Sequence, residues 1–126
     1  MKLVKFSNEV IVNLENVSSV KFLESRIVLN MNYCIIKQKN VIPDYVYIDD
    51  YTEEDESALR NYENFIKVSK NVLVNKDSIS NVKKVNGGVI INLAHPHSYN
   101  LTKNNKVVNT VIADYVHADL SILGEL

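Results

Sequence analysis

Several residue types that define particular protein classes are scarce or absent in this chain. Its 126 residues include no tryptophan, one cysteine, two prolines and three glycines, and the formal net charge is −1. The single cysteine, Cys34, excludes an internal disulfide and favours a reducing compartment. The N-terminal stretch MKLVKFSNEV lacks the continuous apolar run of a signal peptide, and no apolar run approaches membrane-spanning length. These absences predict a cytoplasmic protein without a membrane segment, and the near-neutral charge offers no simple electrostatic argument for nucleic acid.

The residues that are present favour a β-sheet protein. The chain is 46% hydrophobic and 23% charged, as folded globular proteins are, and Val and Ile dominate its apolar residues. Branching at Cβ fits pleated sheets better than helices. Because Gly and Pro are few, Asn, Asp and Ser must form most turns. The length suits one domain, residues 1–126, with a single core.

The clearest pattern is an internal repeat. When the chain is shifted by 62 positions, residues 3–31 lie on residues 65–93 without a gap, and nine of the 29 aligned positions are identical. A second block, VIPDYVYID at 41–49, matches VIADYVHAD at 111–119 at a shift of 70. The eight extra residues predict a longer loop around AHPHSYN in the second copy. We therefore interpret the chain as two tandem copies.

Each copy, about 3–49 and about 65–119, has the alternation of an antiparallel β-meander with short polar turns. Asn13 and Asn75 are expected to hydrogen-bond the backbone ahead of them, as Asx residues do in turns. Neither meander buries enough apolar surface to be stable alone, so the two should share a core.

The linker between the copies, about 52–64, predicts one helix. Thr52 followed by Glu53, Glu54 and Asp55 is typical of a capping box with acids in the first helical turn. Apolar residues continue at helical spacing, which places the helix at about 53–64. The predicted fold is mostly β (α+β): two tandem pseudo-symmetric meanders that share a core and are joined by this acidic helix.

The turn-and-strand pattern of each copy resembles two known families. The residues concerned are Val12-Asn13 followed by Val17-Ser18-Ser19-Val20, and Val74-Asn75 followed by Ile79-Ser80-Asn81-Val82. They resemble small FlbD-like β modules and are similar to the β-hairpins of LytTR-type DNA-binding domains, here in tandem. LytTR domains contact DNA through basic and polar loop residues, and no such cluster stands out in this sequence. The resemblance therefore implies a topology, without an activity.

Histidines in the second copy are the candidate metal ligands. His95 and His97 are two residues apart, so in an extended segment both imidazoles would leave on one side, as metal ligands do. His117 or Asp114 could supply a third ligand. A metal-assisted hydrolase is the functional interpretation. Solvated loop histidines are the structural one, which we favour because no HExxH or Cys/His set accompanies them. No cofactor and no catalytic residue is predicted.

Repeated tyrosines and aspartates, together with an acidic segment, form a candidate interaction surface. Residues 44–63 hold eight acidic residues against one basic residue, a net charge of −7. The structural interpretation, which we favour, packs the tyrosines inward and leaves the acidic run solvated. The functional interpretation makes them a protein-contact surface, because Tyr is enriched at interfaces. The predicted surface consists of Asp44, Tyr45, Asp49, Glu53, Glu54, Asp55, Glu56, Asp114, Tyr115 and Asp119.

The sequence contains no catalytic constellation, and so predicts a non-catalytic binding protein rather than an enzyme. A composition rich in Asn, Lys and Ile fits a low-GC genome, and with it an accessory or inhibitory protein of a mobile element or phage. The expected partner is a protein, and edge strands favour a homo-oligomer. The alternatives are the hydrolase at His95/His97 and a β module that binds nucleic acid or a small phosphorylated ligand. The second rests on the resemblance to LytTR-type domains and on lysines scattered along the strands, among which no exposed aromatic residues are expected.

Overall fold

The structure, a computed structural model, describes the backbone of residues 1–38, 40–103 and 106–126, and the side chains of these except 34, 36–37, 40–43 and 94–114. The described residues form a mostly β, α+β fold, as the sequence predicts. Short 3₁₀ turns occupy Leu14–Asn16, Lys76–Ser78 and Leu120–Gly124. The strands and the α-helix are β1 (Leu3–Lys5), β2 (Ile11–Asn13), β3 (Val17–Phe22), β4 (Arg26–Lys37), β5 (Asn40–Asp49), α1 (Glu53–Arg60), β6 (Phe65–Ser69), β7 (Val72–Asn75), β8 (Ile79–Val85), β9 (Gly88–Lys103) and β10 (Lys106–Ala118).

The described strands form three antiparallel sheets. A five-stranded sheet has the order β5-β4-β3-β7-β6, a three-stranded sheet the order β10-β9-β8, and β1 pairs with β2. Strand β3 pairs on one side with β4 of its own copy and on the other with β7 of the second copy. The first hairpin of the second copy therefore completes the main sheet of the first.

The two copies carry the same elements in the same order. The 62-residue shift moves the 3₁₀ turn Leu14–Asn16 onto Lys76–Ser78. In the strand that follows each turn, the pairing register shifts at the same place, at Ser18 in β3 and at Ser80 in β8. Matched elements are what a duplication would produce, and the common origin of the copies stays a prediction.

The asparagines before the two matched 3₁₀ turns bond the backbone ahead of them, as the sequence predicts. Asn13 Oδ1 accepts a hydrogen bond from Glu15 N at 3.2 Å, and Asn75 Oδ1 accepts one from Asp77 N at 2.9 Å. Asn75 is buried, and its Nδ2 also donates to the carbonyl oxygen of Val17 at 2.9 Å. This amide therefore joins the second copy to the backbone of the first.

The described buried apolar residues form two clusters rather than one, and the first cluster contains residues of both copies, as a shared core requires. Strand β7 lies between them, with Leu73 in the first cluster and Val74 in the second. Successive side chains of a strand point to opposite faces of its sheet, so β7 is buried on both sides. Leu59 of α1 belongs to the first cluster, and Ile91 and Ile122 belong to the second. Only the first cluster includes residues from β1 to β5.

Helix α1 is shorter than predicted. It ends at Arg60, and Phe65, which continues the helical spacing in the sequence, begins β6. The predicted capping box is present: Thr52 Oγ1 accepts from Asp55 N at 3.2 Å, and Asp55 Oδ2 accepts from Thr52 N at 3.0 Å. In the described part of the chain, no helix has both the length and the apolar character needed to cross a membrane.

The last two strands of each copy continue beyond their sheet as a two-stranded ribbon. In the first copy, β3 accompanies β4 only as far as Met31, whereas β4 and β5 pair out to Lys37 and Asn40. We call residues 32–43 ribbon 1. Its two strands therefore have no third strand beside them in the described structure.

The corresponding ribbon of the second copy is longer. Strand β8 accompanies β9 only as far as Leu93, whereas β9 and β10 pair out to Lys103 and Lys106. We call residues 94–113 ribbon 2. At about 3.3 Å per residue, its ten-residue first strand extends about 30 Å. The predicted long loop around AHPHSYN is therefore wrong, because these residues belong to β9 and lengthen the ribbon.

Candidate functional site

The two repeated tyrosines line one groove, which we call the tyrosine groove. Tyr45 of β5 and Tyr115 of β10 are 43% and 58% exposed, and both line a groove of about 540 Å³ together with Tyr47. The prediction that these tyrosines pack inward is wrong. Val46 packs against the first core cluster instead, so the tyrosines on either side of it face away from that cluster.

The groove lies on the face of the five-stranded sheet opposite the first core cluster. Val20 and Leu29 are buried in that cluster, and their strand neighbours Lys21 and Val28 line the groove. Tyr115, from the three-stranded sheet, contributes to the same lining. The groove is therefore built by two sheets, and it brings together residues 70 positions apart in the chain.

Among the described residues that line the groove, the two charged ones, Lys21 and Arg26, are both cationic. Arg26 Nε donates to Asp49 Oδ1 at 2.5 Å, and its guanidinium lies 4.6 Å from the centre of the Tyr47 ring. The hydrogen bond to Asp49 and the charge of that carboxylate raise the pKa of Arg26. Lys21 forms no ion pair with any described residue. The expectation that no exposed aromatic residue lies among the lysines is therefore wrong for Lys21.

The aspartates of the first copy are engaged in contacts within the chain. Asp44 Oδ2 accepts a hydrogen bond from the Tyr33 hydroxyl at 2.8 Å. The pKa of Tyr33 is raised, mainly by burial and to a smaller extent by this hydrogen bond. Asp49 is paired with Arg26. In the second copy, Asp119 is exposed and makes no capping hydrogen bond to the 3₁₀ turn that follows it. The side chain of Asp114 lies outside the described residues.

The acidic residues of α1 do not join the tyrosines in one surface. Glu53 and Glu54 are exposed, and Glu56 Oε2 lies 3.5 Å from Arg60 Nε. No residue of α1 is among the residues that line the tyrosine groove. Glu54 instead lines a separate open cleft between α1 and β1.

Asp55 does not belong to the predicted contact surface. It is 5% exposed, and its carboxylate accepts hydrogen bonds from Ser7 N at 3.0 Å, from Ser7 Oγ and from Thr52 N. Burial acts to raise the pKa of Asp55, but the hydrogen bonds from Ser7 and Thr52 outweigh it, so the pKa is lowered. This carboxylate ties the start of α1 to the turn between β1 and β2, which explains why it faces inward.

The candidate metal ligands are only partly within the described structure. The backbones of His95 and His97 lie in β9, opposite Ile112 and Thr110, and their side chains lie outside the described residues. His117 is exposed, and its ring meets that of Tyr115 edge-on with the centroids 5.6 Å apart. Among the side chains that the structure describes, no group of three or more His, Cys, Asp or Glu could hold a metal ion. The hydrolase at His95/His97 stays a prediction.

The two ribbons contain no acidic residue. Ribbon 1 carries Lys37 and Lys39 in its sequence, and ribbon 2 carries Lys103 and Lys106. These lysines give the ribbons a formal charge of +4 and leave −5 on the rest of the chain. Lys103 pairs with Lys106 at the outer end of ribbon 2. Sequence reasoning missed this pattern because only the register of the hairpin brings the lysines together. The sequence did contain one signal, the lack of any acidic residue from 78 to 113.

Comparison with known proteins gives a likeness in fold. No family model and no curated protein matches the sequence. The structure does match that of a LytTR DNA-binding domain from Bacillus cereus, with a TM-score of 0.52, 11% identity, and coverage of 99% of this chain and 93% of the other. The fold resembles a LytTR DNA-binding domain. Because the LytTR likeness spans both copies, it extends the sequence resemblance, which concerned each copy separately.

Proposed function

We propose that the chain is a nucleic-acid-binding β module that binds duplex DNA with ribbons 1 and 2. The observation that carries this proposal is the likeness in fold to a LytTR DNA-binding domain over 99% of the chain. It favours nucleic acid over the protein partner that the acidic segment suggested. The role as an accessory protein of a mobile element or phage, and the homo-oligomer, stay predictions.

The shape of the ribbons supports DNA as the ligand. The major groove of B-DNA is about 12 Å wide and admits a two-stranded β-ribbon, which can contact base edges there. Ribbon 2 has two paired strands and no third strand beside them in the described structure. Its length of about 30 Å is enough to cross the duplex surface and enter one groove.

The distribution of charge also favours binding through the ribbons. Phosphates dominate the affinity of proteins for DNA, and a carboxylate near them is repelled. The ribbons carry four lysines and no acid, whereas the rest of the chain has a formal charge of −5. The part of the chain outside the ribbons is therefore repelled by a duplex, and binding is expected only when the ribbons face the DNA.

The salt dependence of binding tests this proposal. Each phosphate neutralised by a lysine contributes about −0.9 to the slope of log K against log salt, so four ribbon lysines would give a slope of about −4 at most. Duplexes are first selected from a random library with the full chain. Fluorescence anisotropy then measures the affinity for the enriched duplex over a series of salt concentrations.

A double variant with a matched control separates the ribbons from general charge. Lys103→Ala with Lys106→Ala should weaken binding and reduce the slope by about 2, because two phosphate contacts are lost. Lys67→Ala with Lys76→Ala removes two exposed lysines outside the ribbons and should leave the slope unchanged. Failure to enrich any duplex would contradict the proposal, and so would equal losses in the two double variants.

A further inference from the structure

The tyrosine groove has the size and lining of a small-molecule site. Its volume of about 540 Å³ lies within the range of about 300–1,000 Å³ that such sites occupy. Val28 and Val72 give it an apolar surface, and a few polar side chains, among them Ser19, stand beside them. Apolar walls with a small number of polar groups are the usual construction of a ligand pocket.

The aromatic side chains of the groove suit a flat ligand. Tyr45 and Tyr47 come from β5 and Tyr115 from β10, so the aromatic surface is supplied by two different sheets. Planar rings stack on tyrosine irrespective of their detailed hydrogen-bonding pattern. A ring that enters the groove can therefore contact aromatic surface from more than one direction.

The charge of the groove suits an anion. No carboxylate is among the described residues that line it, whereas Lys21 and Arg26 are. Arg26 is already paired with Asp49 and packed on the Tyr47 ring, which leaves the Lys21 ammonium to meet an added negative charge. One uncommitted cation suits one phosphate or carboxylate. A single strand of nucleic acid would need a row of cations along its backbone.

We infer that the tyrosine groove binds a small planar anion of the nucleotide type, with the ring against Tyr45 and Tyr115 and the anionic group at Lys21. None of the described residues that line the groove belongs to ribbon 1 or ribbon 2. The described lining therefore differs from the residues proposed to contact the duplex, and a chain that fails to bind DNA still tests the groove.

An NMR titration of the full chain tests this site. AMP, GMP, CMP and UMP are added separately to ¹⁵N-labelled protein, and the amide signals of Lys21, Val28 and Val72 report the groove. At least one nucleotide should shift these signals with saturation. The matching nucleoside, which lacks the phosphate, should bind about tenfold more weakly, and inorganic phosphate alone should not shift them.

Variants show whether ring and charge both matter. Tyr45→Ala should weaken binding about tenfold, because stacking on an aromatic side chain contributes a factor of about five or more. Lys21→Ala should also weaken binding about tenfold, as loss of the phosphate does, because both changes remove the same charge contact. Tyr45→Phe keeps the ring and should bind within about threefold of the wild type. Lys76→Ala, an exposed lysine outside the groove lining, is the matched control and should bind as the wild type does.

Three results would overturn the inference. The first is the absence of groove shifts with all four nucleotides while the spectrum stays well dispersed. The second is equal shifts with phosphate alone, and the third is groove binding by a single-stranded oligonucleotide or an acidic peptide without binding by any mononucleotide.

Discussion

Replacement of Asp55 by asparagine tests how α1 is held against the sheets. The Asp55 carboxylate accepts three hydrogen bonds, two from Ser7 and one from Thr52 N. The amide of asparagine keeps one oxygen and places an NH₂ group where the second oxygen was. Oδ2 accepts from Thr52 N–H and Ser7 O–H, and Oδ1 accepts from Ser7 N–H, so in either orientation of the amide at least one pair of donors would face each other.

The expected loss follows from the number and kind of these bonds. A hydrogen bond to a charged group contributes about 1.5–3 kcal/mol, and a neutral one contributes about 1 kcal/mol. With its oxygen in the place of Oδ2, asparagine can retain two neutral bonds and loses the third, so Asp55→Asn should lower the free energy of unfolding by at least about 2–3 kcal/mol. That is a large share of a total that is about 5–15 kcal/mol in most proteins.

The loss should depend on pH in a defined direction. The pKa of Asp55 is lowered in the folded chain, and an unfolded aspartate titrates near about 3.9. Its stabilising contribution is therefore complete above that unfolded value and is lost as the pH falls through the lower folded value. Above about pH 5 the difference between wild type and variant should be constant, and at more acidic pH it should shrink.

Urea denaturation at pH 7 and at pH 3 measures both effects. Asp50→Asn is the matched control, because Asp50 is exposed and makes no side-chain hydrogen bond or ion pair with the described residues. The control should stay within about 0.5 kcal/mol of the wild type at pH 7. An Asp55→Asn loss as small as that of the control, or one that does not shrink in acid, would refute the role assigned to this carboxylate.

Two further predictions concern the hydrogen bonds of a buried amide and a close contact of the backbone. Asn75→Ala removes three hydrogen bonds at a buried site, so urea denaturation should show a loss of about 2–3 kcal/mol in the free energy of unfolding. Asn13→Ala, its counterpart in the first copy, should lose about 1 kcal/mol. Equal losses would contradict the proposal that Asn75 joins the two copies. In Gly88→Ala the new Cβ would lie 2.7 Å from the Ala118 carbonyl oxygen, so thermal denaturation should show a loss of about 1–3 kcal/mol in the free energy of unfolding. Gly124→Ala is the control and should be neutral, because a Cβ there would have no neighbouring atom within 4 Å.

Features whose partners are close in the sequence could be predicted. The bonds from Glu15 N to Asn13 and from Asp77 N to Asn75 span two residues. The capping box of Thr52 and Asp55 spans three. Short polar side chains reach such neighbours in almost any tertiary context, so residue type and spacing were sufficient.

Features that depend on pairing between distant strands could not be predicted in the same way. Alternation shows that Tyr45 and Val46 face opposite sides, but it does not show which side holds the core. Phe65 has helical spacing relative to α1, yet β7 and the first core cluster place it in a strand. The lysines of ribbon 2 are brought to one end by a register that no local pattern specifies.

The repeat makes the difference between the copies informative. Lys21 and Lys83 occupy the same position of the repeat, in β3 and β8. Strand β3 is paired on both edges, and Ser18 at its register shift is buried and donates to the Asn30 carbonyl oxygen at 2.9 Å. Strand β8 is paired on one edge in the described structure, and the equivalent Ser80 is exposed.

This asymmetry determines how many ligands one chain should bind. The surface at Lys21 becomes a groove because β5, β7 and β10 all contribute side chains around it. Lys83 and Lys84 lie on a strand that has one open edge in the part of the chain that the structure describes, and lysines at such an edge oppose pairing with another chain. Although the sequence is repeated, no counterpart of β7 pairs with β8 in the described structure, so we expect the groove to form once. Saturation of the amide shifts should therefore correspond to one nucleotide per chain, and two equivalent sites would mean that the lining residues do not create the site.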